Sequence, residues 1–200
     1  MGDQKPRILI ATGNRHKIRE VEEILRPSGI MLVTPADVGG LPEVEEDGET
    51  FAANASKKAV SGCQVTGLWC LADDSGIEAR SLAWRPGVRS ARFAGPACDD
   101  AANNALLDRM LSEQQDKYVR YRCVIALARP DQATLTWEGT FGGEWTAQAR
   151  GAGGFGYDPH VFIPALGRTV AELDADEKHA RSHRGQALRA FAAWLEQLTA

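Results

Sequence analysis

The order of chemical patterns along these 200 residues predicts an α/β protein, a mixed β-sheet with helices packed against it. Two observations carry that reading. Short apolar runs rich in β-branched residues alternate with segments whose apolar residues recur at helical spacing, and the first such run feeds its helix through a tight Thr-Gly-Asn loop. No internal repeat, low-complexity segment or Pro/Gly/Ser linker interrupts the pattern, so residues 1–200 read as a single domain.

The elements follow in order. Arg7 to Thr12, "RILIAT", is a short strand, and "RHKIREVEEIL" after it places Ile18, Val21, Ile24 and Leu25 on one helical face. A strand is predicted near Val33 and a helix beginning near Thr50 in "TFAANASKKAV". Leu68–Ala72 forms a strand that ends at the adjacent carboxylates Asp73 and Asp74. A third helix covers Asp99 to Ser112 with Leu106, Leu107, Met110 and Leu111 inward; strands follow at Val119–Ala128 and Ala133–Trp137, and a last helix at about Ser182 to Leu198.

Composition excludes several function classes. A net charge of −4 with no basic block argues against nucleic-acid binding, so any phosphate affinity is local. The polar start "MGDQKPRILIATG" does not resemble a signal peptide, and no apolar run reaches the ~18 residues of a membrane span. A cytoplasmic protein without membrane contact is expected. Cys63, Cys70, Cys98 and Cys123 lack metal-ligand spacing and read as free, mostly buried thiols.

Five segments carry chemistry. In "ATGNRHK" a strand ending in Thr-Gly-Asn points backbone N–H groups, Thr12, Asn14 and the helix dipole into one concavity, with Lys17 one turn in; that suits phosphate, though a capped βα turn with a solvated lysine has the same pattern. "PEVEEDGETF" places Glu43, Glu45, Glu46, Asp47 and Glu49 before a helix, as a solvated acidic loop or as the source of one metal carboxylate. The pair Asp73 and Asp74 repels unless a cation, a shared proton or water relieves it; magnesium takes such oxygens together with phosphates, whereas an Asx turn at Ser75–Gly76 is the structural alternative. "GGFGYDP" interleaves Phe155 and Tyr157 with glycines, either to stack a base or to make a tight turn. Finally, "KHARSHRGQA" gathers Lys178, His179, Arg181, His183 and Arg184 about a helix start at Ser182, where positive charge opposes the dipole and hints at an anionic or accepting partner.

In this order, "TGNRHK", "EEDGETF" with "KKA", "ADDSG", "PGVRSARFAG", "GAGGFGYDP" and "SHRGQA" resemble the inosine/xanthosine triphosphate pyrophosphatase family over nearly the whole chain. The resemblance implies an elongated mixed β-sheet with flanking helices, two lobes around a central substrate cleft, a homodimer, and Mg²⁺-dependent hydrolysis of a nucleoside triphosphate to monophosphate and pyrophosphate. It implies that Thr12, Gly13, Asn14, Arg15, His16 and Lys17 bind the substrate, with Thr12, Asn14, Lys17 and Lys58 on the phosphates, Lys58 being preferred to Lys57. Asp74, Lys17 and Lys58 become the catalytic residues, with Asp74 the general base. Asp74, Asp73 and Glu46 become the metal carboxylates, Glu45 remaining a rival to Glu46. Ser75 contacts the substrate, Phe155, Gly156, Tyr157 and Asp158 form the nucleoside turn, and Lys178, His183 and Arg184 surround the base. Phe93 departs from the aromatic that many relatives carry. A Maf-type pyrophosphatase and a non-catalytic nucleotide-binding module are the competing readings, whereas "ADDSG" lacks the D-x-D spacing of a haloacid-dehalogenase-type phosphatase.

Overall fold

A computed structural model describes residues 6–199. Seven strands make one mixed sheet in the order β2-β1-β3-β4-β5-β6-β7. They are β1 (Arg7–Ile10), β2 (Met31–Val33), β3 (Trp69–Ala79), β4 (Tyr118–Ala128), β5 (Leu135–Trp145), β6 (Val161–Ile163) and β7 (Arg168–Thr169). The helices are α1 (Arg15–Leu25), α2 (Phe51–Thr66), α3 (Asp100–Ser112), α4 (Ala175–Arg181) and α5 (His183–Thr199). β1 runs parallel to β2 and to β3, pairing Ile8 with Leu32 and Trp69. Parallel neighbours need long crossovers, which α1 and α2 supply. β5, β6 and β7 pair antiparallel through short connections.

The chain divides into two compact units, one drawn from Met1–Asp74, Cys123–Gly139 and Arg184–Ala200, the other from Ser75–Arg122 and Thr140–His183. Each has its own core. In the first, Ile8, Ile10, Val21, Leu25, Leu71, Ile125, Leu127, Leu188 and Phe191 pack together. In the second, Ile77, Leu107, Leu111, Val119, Tyr121, Trp145, Val161 and Val170 do so. Full burial of such side chains stabilises by about 1.5–3 kcal/mol each.

Three departures from the sequence reading have physical causes. β3 does not end at the carboxylates: it runs on from Trp69 through Asp73 and Asp74 to Ala79. The charges are tolerated inside the strand because cationic and amide groups meet them, as described below, so no Asx turn is needed at Ser75–Gly76. β5 likewise extends to Trp145, past the predicted end at Trp137, since alternation continues through glycines that a propensity reading takes for a break. The basic segment before Ser182 is not a helix start. Lys178, His179 and Arg181 form the last turn of α4, where positive charge suits the dipole, and Asp174 with Glu177 forms the capping box at its other end. The charge conflict that hinted at an anionic partner is thus absent for these three residues.

The free cysteines are Cys63, Cys70 and Cys123, all buried, and Cys98, which is exposed. Among the described residues no helix is long and apolar enough to cross a membrane.

Candidate active site

The first unit concentrates charge at α1, α2 and β3. Asn14 caps α1: its Oδ1 accepts from the N–H groups of His16 and Lys17 at 3.0 and 3.2 Å, while Thr12 Oγ1 accepts from Asn14 N–H at 3.2 Å. The cap fixes the first turn of α1 and with it Lys17, whose ammonium lies 3.0 Å from Asp73 Oδ2. The same oxygen accepts from Arg184 at 3.0 Å, and the guanidinium also binds Glu20, one turn along α1 from Lys17. Arg184 is 1% exposed, Asp73 3% and Glu20 8%. Burial works against the Asp73 charge, yet Lys17, Arg184 and Lys58 hold its carboxyl well below the usual carboxylate range. Lys17, Asp73, Arg184 and Glu20 therefore form a compensated set of two cations and two anions.

Asp74 lies in a different setting. Its Oδ2 accepts from the Asn54 amide at 3.0 Å, and its Oδ1 is 3.9 Å from Lys58 Nζ. Asn54 and Lys58 are four residues apart on α2, so one helical face presents both groups to one carboxylate. Lys58 Nζ also donates to Glu46 Oε2 at 3.0 Å. Burial pushes the Asp74 carboxyl up to about 6, Lys58, Lys17 and the Asn54 hydrogen bond oppose that rise, and Glu46 adds to it. The adjacent aspartates are thus driven in opposite directions, a separation that marks acid–base sites. Glu46 and Asp74 converge on one cation, here the lysine. Among the described residues no group of three or more His, Cys, Asp or Glu side chains is arranged to hold a metal ion.

The second unit holds an aromatic turn. Asp158, 4% exposed, accepts from Tyr121 OH at 2.8 Å, from Lys178 Nζ at 2.9 Å and from Phe155 N–H at 3.0 Å. Gly154, at φ +71°, has no space for a side chain beside that carboxylate. Lys178 Nζ also lies 4.9 Å from the centroid of the Phe155 ring, a cation–π distance. The Gly156 peptide is held from α3: its N–H donates to Asp100 Oδ2 and its C=O accepts from Asn104 Nδ2, both at 3.1 Å. Tyr157 OH donates to Ser90 C=O at 2.7 Å, and the His183 ring stacks on Tyr121 at 4.8 Å.

Residues 8–194, nearly the whole chain, match the Ham1 family. This protein belongs to the Ham1 family. A dITP/XTP pyrophosphatase of Desulforamulus reducens is 46% identical over 185 residues, which cover 92% of this chain and 92% of that one. The Ham1 proteins of Coxiella burnetii and Staphylococcus aureus superpose with TM-scores of 0.88 and 0.87 at 39% and 34% identity, each over 96% of this chain and 99% of the other. These matches establish the family and the α/β fold.

Within this Ham1-family chain, the charged residues singled out by sequence fall into local groups with partners of their own. Lys17, Asp73 and Arg184 meet in one ion-pair set, while Lys58, Glu46 and Asp74 meet in another. Lys57 pairs with Asp47 at 2.8 Å, both of them solvent-exposed. Arg15 and His16 are exposed at the start of α1, and Ser75 is half-buried within β3. Phe155, Asp158 and Lys178 are joined by direct contacts, with His183 reached through Tyr121. Arg184, which the resemblance puts beside the base, has its guanidinium engaged by Asp73 and Glu20. Sequence reasoning passed over Asn54, Glu20, Tyr121, Asp100 and Asn104. For Asn54 a signal existed: it occupies the apolar face of α2, with Phe51, Ala55, Ala59 and Gly62, where a polar side chain must find partners.

Proposed function

We propose that this Ham1-family chain hydrolyses deaminated purine nucleoside triphosphates, dITP, ITP and XTP, to the nucleoside monophosphate and pyrophosphate, with Mg²⁺ as cofactor, as a cytoplasmic homodimer. The 46% identity to a protein named dITP/XTP pyrophosphatase supports the substrate class. The observation that carries the chemistry is the contrast within one strand: Asp73 locked as an anion by Lys17 and Arg184, and Asp74, held up to about 6, beside an amide and a lysine.

Glu46 and Asp74 are the carboxylates that would hold the cation, since their oxygens already converge on a positive charge and magnesium commonly takes one or two carboxylates with waters and phosphates. When bound, the metal neutralises triphosphate charge. Asp73, engaged by Lys17 and Arg184, serves to orient Lys17. Lys17 and Lys58 bind phosphate oxygens, aided by backbone N–H groups at the start of α1. Asp74 orients a water and takes its proton as the water oxygen bonds to the α-phosphorus; the bond from that phosphorus to the bridging oxygen breaks and pyrophosphate leaves. A carboxyl pulled toward neutrality is a better base than an ordinary surface aspartate. Phe155 offers a ring to the base, and Lys178 and His183 offer donors to the C6 oxygen of a deaminated purine, where adenine has a donating amino group.

The test is to incubate the purified chain with Mg²⁺ and dITP, XTP, dATP or dGTP and to identify the phosphorus product. Pyrophosphate from dITP and XTP, with slow turnover of dATP, supports the proposal; orthophosphate, or no hydrolysis, overturns it.

A further inference from the structure

We infer that Asn54 is a positioning residue that sets Asp74 and the acidic loop carrying Glu46 in register with one another, and so governs cation affinity. This rests on the assignment of Asp74 and Glu46 above. Asn54 is fully buried in α2 and uses its amide in both directions. Its Oδ1 accepts from Gly48 N–H at 2.8 Å, and its Nδ2 donates to Asp74 Oδ2 at 3.0 Å and reaches Gly48 C=O at 3.4 Å.

Gly48 is two residues past Glu46, so this one side chain ties the loop backbone to the β3 carboxylate. Its effect on Asp74 is directional. Once Oδ2 accepts from the amide, Oδ1 is the oxygen on the side of Lys58, where Glu46 also points. An amide supplies both an acceptor for the loop and a donor for the carboxylate from one rigid plane. The approach also constrains residue 48: a Cβ there would sit 2.5 Å from Asn54 Oδ1 and 3.0 Å from the Ala53 methyl group, so any larger residue forces the loop and the Asn54 amide apart. Groups that orient ligating carboxylates typically change metal affinity by roughly 10–100-fold when lost.

Mn²⁺ binding to substrate-free protein, read by electron paramagnetic resonance, tests this without relying on turnover. Asn54→Ala loses both contacts. Asn54→Asp keeps the shape and the acceptor for Gly48 but replaces the donor by a second carboxylate, and Gly48→Ala forces the loop and the Asn54 amide apart. The expected result is at least ~10-fold weaker Mn²⁺ binding in Asn54→Ala and in Gly48→Ala, and no further loss when Asn54→Ala is added to Glu46→Gln, because loop and carboxylate act as one unit. A melting temperature close to the parent's in Gly48→Ala, together with weaker Mn²⁺ binding, separates positioning from general destabilisation. Parental Mn²⁺ affinity in Asn54→Asp and Gly48→Ala, both folded, overturns the inference. If the parent chain hydrolyses dITP while these variants bind Mn²⁺ normally, the positioning role fails and the proposed function stands. If Mn²⁺ binding depends on Asn54 but no triphosphate is hydrolysed, the positioning role stands and the proposed function fails.

Discussion

Replacing Arg184 by alanine should do more to the fold than to the choice of base. Arg184 is 1% exposed, and its guanidinium joins Asp73 on β3 to Glu20 on α1, residues that are themselves 3% and 8% exposed. Burial disfavours the guanidinium charge, and Asp73 and Glu20 more than offset that, holding its pKa above the ordinary value. Removing it takes from two buried anions the cation that joins them, with Lys17 and Lys58 still acting on Asp73. Breaking a buried pair from one side costs about 3–5 kcal/mol. At about 2–4 °C per kcal/mol for a chain of this size, the melting temperature should fall by about 6–20 °C. The assay is thermal and urea unfolding of Arg184→Ala, of Arg184→Met, which conserves volume, and of a triple variant that adds Asp73→Asn and Glu20→Gln. The triple variant should recover much of the loss, since it leaves no buried anion and its remaining charge, on Lys17, keeps contact with solvent. If Arg184→Ala melts with the parent and changes only the ratio of dITP to dATP hydrolysis, the ion-pair account is refuted and Arg184 belongs to the base.

Four other outcomes follow from the same contacts. Asp74→Asn should lower dITP turnover by at least ~10²-fold while the protein stays folded, the usual scale for a lost positioned base; circular dichroism and steady-state rates check both. Because Asp74 is raised from 3.8 to about 6, its contribution to metal-free stability is fully present below pH 3.8 and is lost as pH rises through 6, about 3 kcal/mol in all; Asp74→Asn should flatten that part of the stability profile measured by urea unfolding. Lys58→Ala should depress kcat by about 10²–10³-fold through lost charge stabilisation, whereas Lys57→Ala, whose ammonium pairs with exposed Asp47, should hydrolyse dITP like the parent. Lys178→Ala strips a cation from both buried Asp158 and the Phe155 ring, and should raise KM for dITP at least ~10-fold with a measurable drop in melting temperature.

Much of the scaffold could be read from residue patterns because it is local. α1 carries an asparagine cap and its apolar spacing within the twelve residues from Asn14 to Leu25, and α3 begins at Asp100 beside its cap Asp99. β4 is a run of β-branched and aromatic residues with no turn signal inside it. What escaped depends on partners distant in sequence. No pattern around Leu68–Ala72 shows that β3 continues through two aspartates, because the cations and the amide that make this possible come from Lys17, Arg184 and Asn54. β6 and β7 are three and two residues long, too short for periodicity to register. The seven residues of α4 were masked by an adjoining helix, and only the Asp174–Glu177 capping box marked them. The same split holds for the site. The types of residue at Asp74 and Phe155 suggested their chemistry and Lys58 followed from the family resemblance, whereas Asn54, Glu20 and Tyr121 acquire meaning only from the charged groups they touch.

In the proposed reaction, water attacks the α-phosphorus of a deaminated purine triphosphate with pyrophosphate as leaving group. Hydrolysis of dITP in oxygen-18 water, followed by phosphorus NMR or mass spectrometry of both products, tests it most directly. Attack at the α-phosphorus puts one labelled oxygen in the phosphate of dIMP and none in pyrophosphate. Label in the pyrophosphate, or release of labelled orthophosphate, would place the attack on another phosphorus and contradict the role given to Asp74.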